Sequence, residues 1–68
     1  MNIKVNGKDQ SMQNNAVTVL ELLKSNNVES VEMISVQLNG NFIDKNNFIK
    51  IYLKENDELD FLYFMGGG

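Results

Sequence analysis

Apolar and polar residues alternate along several short stretches of the chain, a pattern that indicates strands. Near the N-terminus, Ile3 and Val5 alternate with polar neighbours, as in a half-buried strand. The dipeptide Asn6-Gly7 follows and favours a tight hairpin, because a type I′ turn needs positive φ at both central residues. The spacing therefore predicts a hairpin whose second strand covers residues 8–12.

A helical pattern then replaces the alternation. Thr18 can cap the N-terminus of a helix, and Glu21 lies three residues later, which is the spacing of a capping box. The apolar residues expected on the buried side, including the pair that flanks the box, are Val17, Val19, Leu20, Leu22 and Leu23. Asn26-Asn27 would end the helix, since asparagine tolerates the left-handed conformation. We predict one main helix near residues 19–26.

The second half of the chain returns to short alternating segments. Val36 and Leu38 alternate with polar residues and predict a third strand. Asn39-Gly40 supplies a second hairpin turn, which leads into an apolar segment at residues 41–43. A second hairpin is therefore expected after the helix.

The polar stretch of residues 44–47 could cap a single helical turn. Phe48 would insert into the core after this turn, and Leu53 would rejoin the sheet. Residues 58–64 form the last and most apolar strand.

This order of hairpin, helix, hairpin, single turn and final strand predicts an α+β domain with the helix on one face of a sheet. The β-grasp (ubiquitin-like) fold has this order, and its last strand lies centrally, parallel to the first. We expect a β-grasp domain over residues 1–64, with a mixed sheet of four or five strands and one main helix. A flexible glycine tail would follow at residues 65–68.

Composition argues against an enzyme. The chain has 68 residues, enough for a single domain without a deep active site. It contains no cysteine and no histidine, which excludes thiolate catalysis and the usual general base at neutral pH. Asp44, Asp57 and Asp60 are the acids nearest turns or apolar surface, and solvated positions explain them. We predict no catalytic residue, no metal site and no cofactor.

The charge pattern indicates which classes of partner the chain can bind. Net charge is −3, and the six basic residues are scattered lysines. Nucleic-acid binding needs clustered positive charge, so the chain is not expected to bind nucleic acid. A basic protein partner suits it better. The N-terminus lacks a signal-peptide pattern and no segment is long enough to span a membrane, which predicts a cytoplasmic protein.

The glycine tail, Gly66-Gly67-Gly68, needs an explanation, because ordering glycine costs entropy and buries no side chain. It could be a frayed terminus or an addition foreign to the natural chain. The functional interpretation is a thin arm that threads a partner's narrow channel and presents the Gly68 carboxylate. That carboxylate is an anion and a poor electrophile at neutral pH. An ATP-binding partner would have to activate it by adenylation.

Alternation along the last strand predicts a docking surface beside the tail. Leu59 and Phe61 share one side and are expected in the core. Leu62 and Phe64 share the other side and would form an exposed apolar patch for partners, with Met65 as a hinge. The alternative is that all of these side chains fill a two-sided core.

These segments together make the whole chain resemble the ThiS/MoaD group of ubiquitin-like sulfur carriers, and within it the ThiS family of thiamine-biosynthesis carriers. The resemblance rests on MNIKVNG, TVLELL, VQLNGNFI, NDELDFLYF and the terminal Gly-Gly. Asn56 stands where the family often has glycine, and the tail has three glycines where two suffice. Neither departure damages the motif.

The resemblance implies a reaction cycle. A ThiF-like adenylating enzyme would convert the Gly68 carboxylate to an acyl-adenylate, with Gly66 and Gly67 in its channel. A persulfide sulfur donor would then produce a C-terminal thiocarboxylate, and a ThiG-like thiazole synthase would take the sulfur. Three alternatives stay open: a MoaD-like carrier for molybdopterin or another product, a modifier that forms isopeptide bonds, and a plain β-grasp interaction module.

Overall fold

The computed structural model describes residues 1–63, which form a five-stranded mixed sheet, one α-helix and two short 3₁₀ helices. In chain order the elements are β1 (Asn2–Val5), β2 (Lys8–Ser11), α1 (Val19–Ser25), a 3₁₀ helix (Val31–Met33), β3 (Ile34–Leu38), β4 (Asn41–Ile43), a 3₁₀ helix (Lys45–Asn47) and β5 (Glu58–Tyr63). The predicted strands and helix are present, with bounds that differ by a residue or so. The predicted domain boundary after residue 64 and the tail lie outside the described residues.

The strands lie in the order β2-β1-β5-β3-β4, so the last strand occupies the centre of the sheet. It runs parallel to β1 and antiparallel to β3. The two hairpins turn at Asn6-Gly7 and Asn39-Gly40, where all four residues have positive φ. This topology confirms the β-grasp prediction, including the parallel pairing of first and last strands.

The helix begins with the predicted capping box. Thr18 Oγ1 accepts a hydrogen bond from the Glu21 backbone N–H at 3.1 Å, and Glu21 Oε1 accepts from the Thr18 N–H at 2.9 Å. These contacts satisfy two of the backbone donors that a helix start leaves unpaired. At the other end, Asn26 Nδ2 donates to the Leu22 carbonyl at 3.0 Å, and Asn27 turns left-handed with φ 64°. The helix is thus bounded at both ends by the predicted residue types.

The core lies between α1 and one face of the sheet. Its buried side chains come from the helix, the three inner strands and the loops: Ile3, Val5, Val17, Val19, Leu22, Leu23, Val28, Ile34, Val36, Phe48, Leu53 and Leu59. Leu20 is only partly buried at its edge. Inward residues alternate with outward ones along each strand, so the residues between these core positions, among them the exposed Lys4 and Leu62, face the opposite side of the sheet.

The prediction that Leu53 rejoins the sheet is wrong. Its side chain is buried, but its backbone N–H donates to the Val17 carbonyl at 2.8 Å, and Tyr52 forms an isolated bridge with Thr18. The segment therefore pairs with the chain that enters the helix. A single apolar residue among polar ones indicates burial, but it does not specify which backbone will satisfy its hydrogen bonds.

The single turn at Lys45–Asn47 is present, and Phe48 is buried behind it as predicted. Asp44 occupies the N-cap position, but its side chain forms no capping hydrogen bond. The turn is closed by backbone contacts instead, including one from the Asn47 N–H to the Asp44 carbonyl at 2.9 Å.

Candidate functional site

Strand β5 separates core from surface as the alternation predicts. Leu59 is fully buried and Phe61 packs partly against the core, whereas Leu62 is 74% exposed. Leu62 is thus on the outer face of the sheet, and the alternative of a two-sided core does not hold at this residue. The other residues assigned to docking and to the tail lie outside the described chain; they are Phe64, Met65, Gly66, Gly67 and Gly68.

A shallow groove of about 820 Å³ crosses the outer face. It is lined by Asn6, Ser35, Gln37, Phe42, Asp60, Phe61 and Leu62. Strand register brings these residues together: Gln37 of β3 pairs with Phe42 of β4 on one side and with Asp60 of β5 on the other. Ser35 pairs with Leu62 in the same way. Phe42 on β4 and Leu62 on β5 therefore lie on opposite sides of the groove, with the polar side chains of β3 between them.

Phe42 is the residue that the sequence-based interpretation missed. It is 73% exposed, as much as Leu62, and exposed aromatic side chains are typical anchors of protein interfaces. The signal was available, because Phe42 lies across the Asn39-Gly40 turn from Gln37. Gln37 alternates with core residues, so its cross-strand partner must also face outward.

Acidic side chains lie on the same outer face beside the groove. Glu58 and Asp60 project from β5, and Asp9 projects from β2. Lys4 stands between them on β1, paired with Asp9 and with Glu58. Acidic residues outnumber this lysine, so the face favours a partner with positive charge around an apolar contact.

Within residues 1–63, no group of three acidic side chains is placed to hold a metal ion. The Asp57 carboxylate stabilises the turn before β5, since Oδ1 accepts from Asn39 Nδ2 at 3.0 Å and Oδ2 accepts from the Lys54 N–H at 2.7 Å. In the same part of the chain, every helix is too short to cross a membrane.

The fold and this surface define the class: a ubiquitin-like β-grasp domain with an exposed apolar groove on the outer face of its sheet.

Comparison with known proteins identifies the family. The model of the ThiS family matches residues 3–68. The chain is 29% identical over 66 residues to the sulfur carrier protein ThiS of Bacillus subtilis (strain 168), covering 97% of this chain and 98% of that protein. The crystal structure of the thiamine biosynthesis protein ThiS from Geobacter metallireducens is 39% identical, with a TM-score of 0.87 and full coverage of both chains.

A solution structure of a thiamine biosynthesis protein from the same organism agrees, with a TM-score of 0.82, 39% identity and coverage of 100% of this chain and 88% of that one. The chain belongs to the ThiS family. The resemblance stated from its sequence motifs is thereby confirmed. Membership in a family of sulfur carriers places it among proteins that work with partner enzymes and are not themselves catalysts.

Proposed function

We propose that this chain carries sulfur for thiamine biosynthesis as a thiocarboxylate on the α-carboxyl group of Gly68. The observation that carries the proposal is the family match, which extends through the terminal glycines to Gly68. The described structure adds support, because an exposed apolar groove lies on the strand that precedes these glycines.

The proposed loading reaction has two stages. In the first, a carboxylate oxygen of Gly68 attacks the α-phosphorus of ATP, and pyrophosphate leaves as the acyl-adenylate forms. In the second, the terminal sulfur of a persulfide donor attacks the acyl carbon and AMP leaves. Cleavage of the remaining sulfur–sulfur bond by a thiol then releases the thiocarboxylate, which is a nucleophile ready to give up its sulfur.

Each part of the chain has a distinct role in this proposal. Phe42 and Leu62 contact the partner through the groove, and Phe64 and Met65 extend that contact toward the tail. The tail glycines, Gly66 and Gly67, pass through a narrow channel because they have no Cβ atoms. The partner supplies the ATP site and the catalytic groups, since the chain contains no histidine and no cysteine.

The resemblance to the ThiS family implies three partners. A ThiF-like adenylating enzyme activates the carboxylate, a persulfide sulfur donor loads it, and a ThiG-like thiazole synthase receives the sulfur. The acidic residues beside the groove favour basic surfaces on the two enzymes that dock.

Intact-mass measurement tests the proposal. The chain is incubated with its own adenylating enzyme, ATP and a persulfide source, and a sulfur-for-oxygen mass increase is expected. A matched variant carries one alanine after Gly68, which converts the reacting carboxylate into an amide that cannot attack ATP. This variant should gain no sulfur. Sulfur on the extended chain without trimming would overturn the proposal, and high-mass conjugates to lysines would indicate a protein modifier instead.

A further inference from the structure

Two turn asparagines hold the central strand β5, one on each side. On the β3 side, the Asn39 N–H donates to the Glu58 carbonyl at 2.8 Å and Asn39 Oδ1 accepts from the Glu58 N–H at 2.9 Å. On the β1 side, the Asn6 N–H donates to the Leu59 carbonyl at 2.9 Å and Asn6 Oδ1 accepts from the Phe61 N–H at 2.8 Å. In each case a carboxamide continues the sheet's ladder beyond the end of a neighbouring strand.

Among the hydrogen bonds of the described residues, the Asn6 contact is the last one between the first hairpin and β5. The parallel ladder of β1 and β5 pairs Lys4 with Glu58 and Val5 with Leu59, and then β1 turns away at Asn6. A backbone carbonyl would be the next acceptor for Phe61 in a continuing ladder. The Asn6 side chain replaces it, two residues before β5 ends at Tyr63.

Beyond this contact, the described chain holds β5 along one edge, through the pairing of Ser35 with Leu62 and of Ile34 with Tyr63. A strand with fewer backbone partners opens and twists more readily. Asn6 also lines the groove together with Asp60 and Leu62, so it acts where the proposed docking surface meets the segment that leads to Gly68.

We infer that Asn6 is a positioning residue for loading: its carboxamide fixes the end of β5 against the first hairpin, and hence the point on the docked surface from which the segment leading to Gly68 starts. This inference rests on the proposed function. The reacting group follows Phe61 by seven positions. When the sheet is docked on the partner, the end of β5 is the starting point of the segment that leads to Gly68, and displacement of a reacting group by about 1 Å can cost on the order of a hundredfold in rate.

Asn39 provides a matched control. It precedes glycine in the same kind of turn and has the same φ of 53° as Asn6. Its side chain makes two hydrogen bonds, to Glu58 and Asp57, at the start of β5 and far from the tail in sequence. Glycine adopts positive φ without strain, so Asn6→Gly and Asn39→Gly both keep the turn and remove only the carboxamide.

The experiment measures ATP–pyrophosphate exchange by the adenylating enzyme of the same organism. Asn6→Gly is expected to lower kcat on the order of tenfold at saturating carrier, with a smaller change in KM. Asn39→Gly should lower the melting temperature at least as much and leave kcat unchanged. Asn6→Asp keeps an acceptor oxygen for the Phe61 N–H and should retain kcat. Amide exchange at Phe61 should accelerate in Asn6→Gly alone.

Two outcomes would overturn the inference while leaving the proposed function in place: equal kcat values for Asn6→Gly and Asn39→Gly, or an Asn6→Asp defect as large as that of Asn6→Gly. Asn6→Ala, which has no side-chain acceptor, must reproduce the loss, with Asn39→Ala as the control for the strain of a non-glycine residue at positive φ. This pair supplies the same test if the glycine variant does not fold. A wild-type chain that supports no exchange would overturn the proposed function and this inference together.

Discussion

At the scale of single residues, asparagine serves two purposes in this chain. Four non-glycine residues of the described chain have positive φ, and all four are asparagines: Asn6, Asn27, Asn39 and Asn56. Asparagine enters the left-handed region more readily than most residues, because its short polar side chain can hydrogen-bond locally. At positions 6 and 39 that side chain also accepts a backbone N–H of β5. Glycine could supply the conformation there but not the acceptor.

The capping threonine gives the first stability prediction. Thr18→Ala removes the oxygen that accepts the Glu21 N–H, and should lower the free energy of unfolding by about 1 kcal/mol. Thr18→Ser keeps the hydroxyl and should lose less. Urea denaturation of the three proteins measures the difference. Equal losses for alanine and serine would mean that packing of the threonine methyl group, and not the cap, is responsible.

The carboxylate of the capping box makes stability depend on pH. The Thr18 backbone N–H, then its hydroxyl, and then the charge of Lys24 hold the pKa of Glu21 below its ordinary value. Ionised Glu21 therefore stabilises the folded chain above the ordinary, unfolded-state pKa, and this contribution is lost as pH falls through the lower folded-state pKa.

The matched variant for this prediction is Glu21→Gln, which keeps an oxygen for the Thr18 N–H but does not titrate. Wild type should be the more stable at neutral pH, and the difference should disappear in acid. Thermal denaturation across this range measures it. A difference that is constant with pH would show that the ionisation of Glu21 does not contribute.

At the scale of elements, the helix and the central strand owe their stability to packing. The helix has seven residues, too few to be stable alone, and buries Val19, Leu22 and Leu23 against the sheet. The central strand β5 is hydrogen-bonded to a strand on each side, while its alternation sends Leu59 inward and Leu62 outward. One strand thus serves both the core and the surface.

The exposed side of β5 supplies a binding prediction. Leu62→Asp should weaken affinity for the adenylating enzyme on the order of tenfold, because a central apolar contact is replaced by a charge. Ile49→Asp is the control, since Ile49 is also an exposed apolar residue (63%) but does not line the groove. Titration calorimetry should show a loss for Leu62→Asp alone, with melting temperatures near wild type for both. Equal losses of affinity for the two variants would show that the partner docks on another surface or binds nonspecifically.

At the scale of the whole molecule, a small domain depends on one core. A chain of this length buries roughly 60% of the surface that its unfolded form exposes, so its stability margin is narrow. The core lies on one side of the sheet, which leaves the other side available for partners. Substitutions on the core side of β5 should therefore lower stability, whereas substitutions on its outer side should weaken partner binding.

Leu59→Ala tests this separation. Leu59 is 0% exposed, and truncation of such a residue costs roughly 2–5 kcal/mol, against a total of about 5–15 kcal/mol for a typical domain. The melting temperature should fall sharply, and loading with sulfur should recover when the assay is cooled below it. Leu62→Ala is the control on the same strand and should melt near wild type. Similar melting temperatures for the two variants would contradict the one-sided core.

Local sequence determined the two Asn-Gly turns, the capping box of Thr18 and Glu21, and the division of β5 into two sides, but it left open whether Leu62 is exposed. Each depends on contacts between residues a few positions apart or on the strand period of two, so a short window contains the necessary information. The same holds for the family motifs from which the resemblance to ThiS was stated, because they were read directly from consecutive residues.

Only the tertiary structure decided that Leu53 pairs outside the sheet, that Phe42 and Leu62 rim one groove, and that Asn6 accepts from the Phe61 N–H. The last contact joins residues 55 positions apart. Such contacts depend on which distant strands become neighbours and in what register. The hydrophobic pattern indicates that a strand has a buried face. The register of its partner strands is set only when all five strands and the helix pack around the common core.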